Sequence, residues 1–397
     1  MANTRTTVEI LDRSLNKIAE ARALYPINEQ GMVLRYSKEL SDYGTCTFRL
    51  RPQDPIFTDF GDIIEPHKYH VRIKRGNTYV WQGAIVDNPH RTHNYVEIKA
   101  AEYEFYLSKV LIKRTSAVSY GGTAPSEDIG LHYRIFSSGT MATAVSTMVT
   151  EVTATFGSNH IMSGLTAGTI ENPDYPKNFA TSAGVALTGA WSFSSDVVLQ
   201  FDYQSYLYAL QAFGMYANAD FRINNDLQLD FEKFLGNKNP GITFVYGTQG
   251  NMVDYDIPRL GSRMVNDLTG IATDPNGLVL HANKSDSVSK DEYGLLQDAS
   301  AFSDVKDKNA LNARLAEQLR LTSRPESSPH NFVLNEKAYP LGQYDIGDII
   351  TAKVKDGAID YKEVRRVAGI TVNLHGTGRE MVTVQTNSVR PEDIGSA

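Results

Sequence analysis

Cysteine is nearly missing from this 397-residue sequence: Cys46 is the only one, which excludes an intramolecular disulfide framework and any cysteine-based metal cluster. Its place in the alternating run "CTFRL" marks it as a core residue. Tryptophan is also scarce, at 2 copies against 21 tyrosines. No run of eighteen apolar residues occurs, and the start "MANTRTTVEILDRS" lacks the basic-then-apolar layout of a signal peptide, so a soluble product folded in the cytoplasm, with no membrane insertion, is expected. An excess of basic charge is missing too. With 39 basic and 46 acidic residues the formal charge is −7, which argues against general adhesion to nucleic acid.

Catalytic signatures are absent as well. The sequence holds no GxSxG elbow, P-loop, GxGxxG fingerprint, HExxH helix or CxxC pair. The nearest approach to a metal set is His67 and His70 in "PHKYH" with His90 and His93 in "NPHRTH". Residues three apart on a strand point to opposite faces, so exposed loop and strand-end histidines are the plainer reading. Carboxylates gather at Asp59 and Asp62, at Asp254 and Asp256, and in "KSDSVSKDEYG", with no neighbouring histidine or phosphate-cradling glycine loop. They read as turn residues, and no catalytic residue, metal or cofactor is expected.

What the sequence does contain is a repeat. "FGDII" at Phe60–Ile64 returns as "IGDII" at Ile346–Ile350. Gly61 precedes Gly83 by 22 positions, as Gly347 precedes Gly369, and Val96 and Val382 each follow 13 positions later. A duplicated β-module accounts for the shared spacing: a strand after Gly-Asp, a hairpin, a strand ending near glycine, a turn and a third strand. The hairpin turns are displaced, at "RGN" (Arg75–Asn77) in one copy and "KDG" (Lys355–Gly357) in the other. Gly61, Asp62, Trp81, Gly83, Gly347, Asp348 and Gly369 are therefore the candidate repeat and interface residues.

Around the repeat, strands dominate. Residues 30–112 alternate, with Cys46, Phe48 and Leu50, then Val71 and Ile73, then Val96, Ile98 and Ala100 each on one face, which suggests a small antiparallel barrel or sandwich. Met141, Val145, Met148, Val149, Val152 and Phe156 predict a helix stopped by Gly157. Leu207, Leu210 and Phe213 predict another, followed by a hairpin turning at "NND", and Leu311, Leu315 and Leu319 a third.

The sequence resembles the tail-hub, or baseplate-hub, proteins of bacteriophages over most of its length. The resemblance rests on "LRYSKELSDYGTCTFRLRPQDP", "VRIKRGNTYVWQGAIVDN" and "VEIKAAEYEFYL" for an opening barrel. It continues with "DEYGLLQDASAFSDVKDKNALNARLAEQLRL" for a Tyr-Gly segment leading into a helix, and "YDIGDIITAKV", "VRRVAGITVNL" and "MVTVQT" for a closing barrel. It implies an α+β, mainly β chain with two related antiparallel β-barrel domains and intervening mixed α/β domains. The expected division is 1–112 for the first barrel, 113–218 for a mixed α/β domain, 219–246 with 329–388 for the second barrel, 247–328 for an α/β insertion with a helix over 307–321, and 389–397 as a tail.

The resemblance further implies a homotrimer whose six barrels meet a sixfold tail around the DNA exit path. Implied partners are a distal tail protein or tail-tube hexamer, a tape measure protein, tail fibre or receptor-binding proteins, and DNA passing without specific binding, in a virion tail assembled in the host cytoplasm. The spike, lysozyme or peptidase extension of some family members has no counterpart in these 397 residues, so wall digestion is not expected. A β-scaffold wall or polysaccharide hydrolase, and the hub of a contractile secretion or bacteriocin spike, are the alternatives.

Overall fold

A computed structural model describes residues 6–21, 23–60, 65–88, 90–112, 133–136, 140–172, 199–202, 204–238, 241–247, 250–274, 277–325, 329–335 and 343–389. Its strands are β1 (Thr6–Leu11), β2 (Lys17–Glu20), β3 (Leu24–Tyr25), β4 (Met32–Glu39), β5 (Thr45–Leu50), β6 (His70–Arg75), β7 (Thr78–Asp87), β8 (Val96–Ala101), β9 (Tyr133–Phe136), β10 (Thr166–Ile170) and β11 (Leu199–Asp202). They continue with β12 (Asp220–Ile223), β13 (Gln228–Glu232), β14 (Thr243–Tyr246), β15 (Met252–Asp256), β16 (Asp267–Thr273), β17 (Val279–Ser285), β18 (Gln297–Phe302), β19 (His330–Asn335), β20 (Ile349–Asp356), β21 (Ile359–His375) and β22 (Glu380–Ser388). The helices are α1 (Pro55–Phe60), α2 (Glu104–Leu107), α3 (Met141–Thr155), α4 (Tyr206–Ala217), α5 (Ser287–Tyr293) and α6 (Lys308–Thr322).

One large sheet runs β2-β1-β6-β7-β8-β5-β4-β21-β20-β14-β15-β19-β22, with β3 paired to β5, and β22 returns to β21. That last pairing closes β21, β20, β14, β15, β19 and β22 into a six-stranded barrel. The barrel is mixed rather than antiparallel, because β14 lies parallel to both β20 and β15. The N-terminal strands give a second departure from expectation. They form an antiparallel sheet, but among the described residues no pairing closes it: β4, its last strand, pairs instead with β21 over Met32–Glu39 and Gly369–His375. Two separate antiparallel barrels thus become one closed mixed barrel and one open sheet hydrogen-bonded to it.

The joint is possible because β21 is long and changes partners. Its first half pairs with β20, its second half with β4, and β22 accompanies it from Arg365 onward with a bulge between Val367 and Gly369. The residue inside the bulge, Ala368, offers its carbonyl to the Leu40 N–H at 2.8 Å. A bulge bends a strand and sharpens its twist, which is what a strand shared by two sheets requires. Both sheets bury their inner faces in one core, where Phe48, Ile73, Trp81 and Ile98 pack in the same cluster as Phe244, Phe332, Val372 and Val384.

The helices and small sheets form a second core. In α3 the expected face, Met141, Val145, Met148, Val149 and Val152, is buried, and Thr140 caps the first turn by accepting the Thr143 N–H. Its threonines bond back to carbonyls four residues earlier, as Thr147 does to Thr143 and Thr150 to Ser146, which accommodates a residue type of low helix propensity. Ser205 caps α4, Asn218 ends it in the left-handed conformation, and the β12–β13 hairpin follows as expected. That hairpin pairs with β10, so of the 219–246 segment only Thr243–Tyr246 enters the barrel. Leu311, Leu315 and Leu319 of α6 are buried, with Asp307 accepting the Asn309 and Ala310 N–H groups. Among the described residues no helix is long and apolar enough to cross a membrane.

Candidate functional site

Of the repeat residues, Gly347 and Asp348 occupy the most constrained position. Gly347 has φ +88°, in the left-handed region, and a Cβ there would overlap the backbone carbonyl of Leu235. Asp348, buried beside it, holds both flanking segments: one carboxylate oxygen accepts the Asn237 N–H at 2.7 Å and the other the Asp345 N–H at 2.9 Å. The backbone completes the lock, since Gly347 N–H donates to Val367 and Val367 N–H to Asp348. Gly-Asp is needed here because only glycine tolerates the φ and the close carbonyl, and aspartate supplies two acceptors on a short stem.

Arg366 finishes this knot. Its guanidinium donates to the carbonyls of Gly347 at 3.0 Å and Leu235 at 2.8 Å, and to the Asp220 carboxylate at 2.6 Å. It also lies 4.2 Å above the Phe234 ring. Arg366 and Asp220 are both buried, so the barrel strand β21 is tied to hairpin strand β12 by an ion pair shielded from water. Nothing in the sequence singled Arg366 out, because its partners Asp220 and Leu235 lie more than a hundred residues away along the chain.

The first copy of the repeat is arranged differently. Gly61 and Asp62 lie outside the described residues, as does the 389–397 tail beyond Val389. Trp81 is buried and donates its indole N–H to the Ser37 carbonyl at 2.9 Å. Gly83 sits under it, where a Cβ would overlap the Ala101 carbonyl and the Trp81 ring. Its counterpart Gly369 faces the Glu39 carboxylate, an adjustable neighbour rather than a fixed one. Strand order agrees between copies, β6-β7-β8 against β20-β21-β22, but the pairing register does not. With Gly83 laid on Gly369, Ile85 falls on Thr371. Ile85 pairs with Ala100, whereas Thr371 pairs with Thr383, the counterpart of Glu97, so the third strand is displaced by three residues.

Between the two copies lies a cavity of about 260 Å³, lined among others by Lys38, Glu39, Glu102, Glu104, Arg222 and Asp345. Burial, with Asp42 nearby, raises the Glu39 carboxyl to about 7, and burial raises Glu104 also to about 7. Glu102 is raised by burial and by Glu104. Glu102 accepts the Gly44 N–H at 2.7 Å and Glu104 that of Ile223 at 2.5 Å, while Lys38 reaches Asp345 at 2.5 Å. These groups knit the N-terminal sheet, the β12–β13 hairpin and the barrel together.

The four histidines are not brought to one point. His67 lies against Tyr106, 3.3 Å from its hydroxyl, His70 is buried 3.4 Å from the Tyr103 hydroxyl, and His90 and His93 are exposed. Among the described residues no group of three or more His, Cys, Asp or Glu side chains could hold a metal ion. Asp254 and Asp256 are exposed, and Cys46 is buried with its thiol pushed up by desolvation.

Burial lowers the His70 imidazole to about 4, with His160 and Arg13 adding to the shift and Asp12 opposing it. The folded group stays neutral where the unfolded one, titrating near 6.5, takes up a proton. Its contribution is complete above pH 6.5 and is lost as pH falls toward 4. Glu39 and Glu104, raised in the fold, act in the opposite sense between about 4.5 and 7. The expected observable is therefore a difference: in urea unfolding, the stability gap between wild type and His70→Gln narrows by about 2 kcal/mol between pH 7 and pH 4.5. A constant gap would show that His70 does not titrate this way.

No protein-family model and no curated protein matches the sequence. Solved structures do match the fold. The 43 kDa tail protein of prophage MuSo2 from Shewanella oneidensis aligns with a TM-score of 0.61 at 13% identity, over 98% of this chain and 99% of that one. A tail protein from Neisseria meningitidis MC58 aligns at 0.58 and 11% identity, over 96% of each chain. Prophage tail protein gp18 from Listeria monocytogenes EGD-e aligns at 0.54 and 10% identity, over 98% and 97%. This chain has, over nearly its full length, the fold of these tail proteins.

Proposed function

We propose that the chain is a structural tail-hub protein of a phage, a trimeric ring that adapts a sixfold tail tube to a threefold tip and surrounds the DNA exit channel. The observation that carries this reading is the alignment with tail proteins over nearly the whole of both chains, which includes the open sheet, the barrel and the α/β layers together. The matched proteins are described as tail components, which supports a non-enzymatic role in the virion tail.

The adaptor part of the proposal rests on the paired meanders β6-β7-β8 and β20-β21-β22, joined side by side through β4 and β21. Three copies of such a chain offer six three-stranded surfaces to six partner subunits. The partners then follow from position: a distal tail protein or tube hexamer on the meander side, a tape measure protein on the axis, tail fibre or receptor-binding proteins at the tip, and DNA that passes without sequence contacts. Its working parts are the unit 1–112, the mixed α/β unit 113–218 together with the β12–β13 hairpin, the barrel of β14, β15, β19, β20, β21 and β22, and the remainder of 247–328.

Light scattering of the purified chain mixed with its tail-tube partner is expected to give a trimer. A dimer that persists in that mixture would refute the ring. Electron microscopy of the native particle is expected to place three copies on the tail axis, with both meanders of each copy on the tube side.

A further inference from the structure

The sheet β17-β16-β18 has two outer strands that pair only with β16 among the described residues. Both are regular along their length. β17 pairs with β16 through seven consecutive positions and β18 through six, and neither ladder contains a bulge. Edge strands are ordinarily protected by shortness, proline, a bulge, a covering element or charged side chains. Neither edge is short, bulged or interrupted by proline, most residues of both strands are exposed, and each strand carries a single charged residue, Lys284 in β17 and Asp298 in β18, of opposite sign.

The two edges also complement each other. Lys284 of β17 and Asp298 of β18 flank the same residue, Leu268, and so stand at the same level on the same face. Ala282 and Ser300 flank Gly270, and Leu280 and Phe302 flank Ala272. Lys284 and Asp298 make no ion pair with each other or with a third group among the described residues. Beyond the ladder's ends lie exposed apolar residues: Leu278 at one end, Val288 and Leu295 at the other.

We propose that β17 of one copy adds to β18 of a second copy, extending the sheet from subunit to subunit. β17 runs antiparallel to β16 and β18 parallel to it, so the new ladder is antiparallel. In continuous register Lys284 faces Asp298 of the partner subunit, and Leu280 faces Phe302 of the partner subunit. Opposite charges and apolar pairs at directly opposed sites each favour the ladder, and the main-chain bonds supply most of the affinity. Because the edges differ, the contact is head-to-tail and generates a ring or a filament. Closure at three rests on the hub reading above; the pairing of the edges does not.

The test is the double variant Lys284→Cys with Asp298→Cys in the full chain. Within one chain β17 and β18 are two strand spacings apart, roughly 10 Å, beyond the reach of a disulfide, so a bond between the new cysteines forms only between copies. The single native cysteine, Cys46, is buried and does not compete. Mild oxidation is expected to give a covalent trimer on non-reducing gels, while each single variant gives none. Lys284→Asp is expected to weaken association roughly tenfold, with Asp298→Lys restoring it.

A covalent open series of dimers, tetramers and longer chains would uphold the edge pairing and overturn the threefold reading. A trimer that stays unlinked would overturn the edge pairing and leave the hub reading standing. A folded monomer, unlinked at the highest attainable concentration and unaffected by charge reversal, would overturn the pairing as well.

Discussion

Gly347→Val is expected to destabilise the protein by about 3–5 kcal/mol, a loss large enough to impair assembly. Two effects add. A β-branched residue held at φ +88° bears backbone strain of about 1–3 kcal/mol, and its Cβ is driven into the Leu235 carbonyl, which cannot withdraw because Gly236 and Asn237 are fixed against Gly347 and Asp348. Gly369→Val is the control. Its Cβ meets the end of the Glu39 side chain, which can rotate away into the adjoining cavity, so a change of about 1 kcal/mol is expected. Equal costs at the two sites in urea unfolding would remove the special standing of Gly347 and with it the account of why Gly-Asp begins β20.

Parts of this architecture were legible because local spacing reports which face is buried. The α3, α4 and α6 faces follow from apolar residues at helical intervals, and Cys46, Phe48 and Leu50 in β5 from alternation. Alternation says nothing, however, about which edge a strand will find. Whether β4 would return to β1 or pair with β21 depends on long-range competition, and the same "LRYSKEL" pattern suits either. β14 and β15 were harder still. "TFVY" and "MVDYD" are short: β14 lies parallel to β20, about a hundred residues further along the chain, and also parallel to β15, which follows it almost at once, so no hairpin turn announces either pairing.

The repeat was legible as strand order and misleading as register. Matching glycines located two similar meanders, yet each glycine is there for a different reason: Gly83 makes room for Trp81 and the Ala101 carbonyl, and Gly369 follows the bulge where β21 changes partners. The bulges, one residue each, fall at different places in the two copies, between Ile85 and Asp87 in β7–β8 and between Val367 and Gly369 in β21–β22. Equal glycine spacing along a chain does not fix how its strands are paired, so spacing alone did not reveal the displacement.

Arg366 was invisible for the opposite reason, since its function lies wholly in tertiary contacts, and its removal carries the second large expected effect. Arg366→Met is expected to cost about 3–5 kcal/mol, because it leaves the Asp220 carboxylate buried without its cation and the Gly347 and Leu235 carbonyls without their donor. Adding Asp220→Asn removes the stranded charge and should return about half of the loss. The two carbonyls remain unsatisfied in the double variant, so full recovery is not expected. Denaturation of the four members of this cycle separates the cases: near-additive losses would mean that the ion pair does not couple β21 to β12, whereas strong coupling with partial recovery supports Arg366 as the tie between the barrel and the hairpin beneath it.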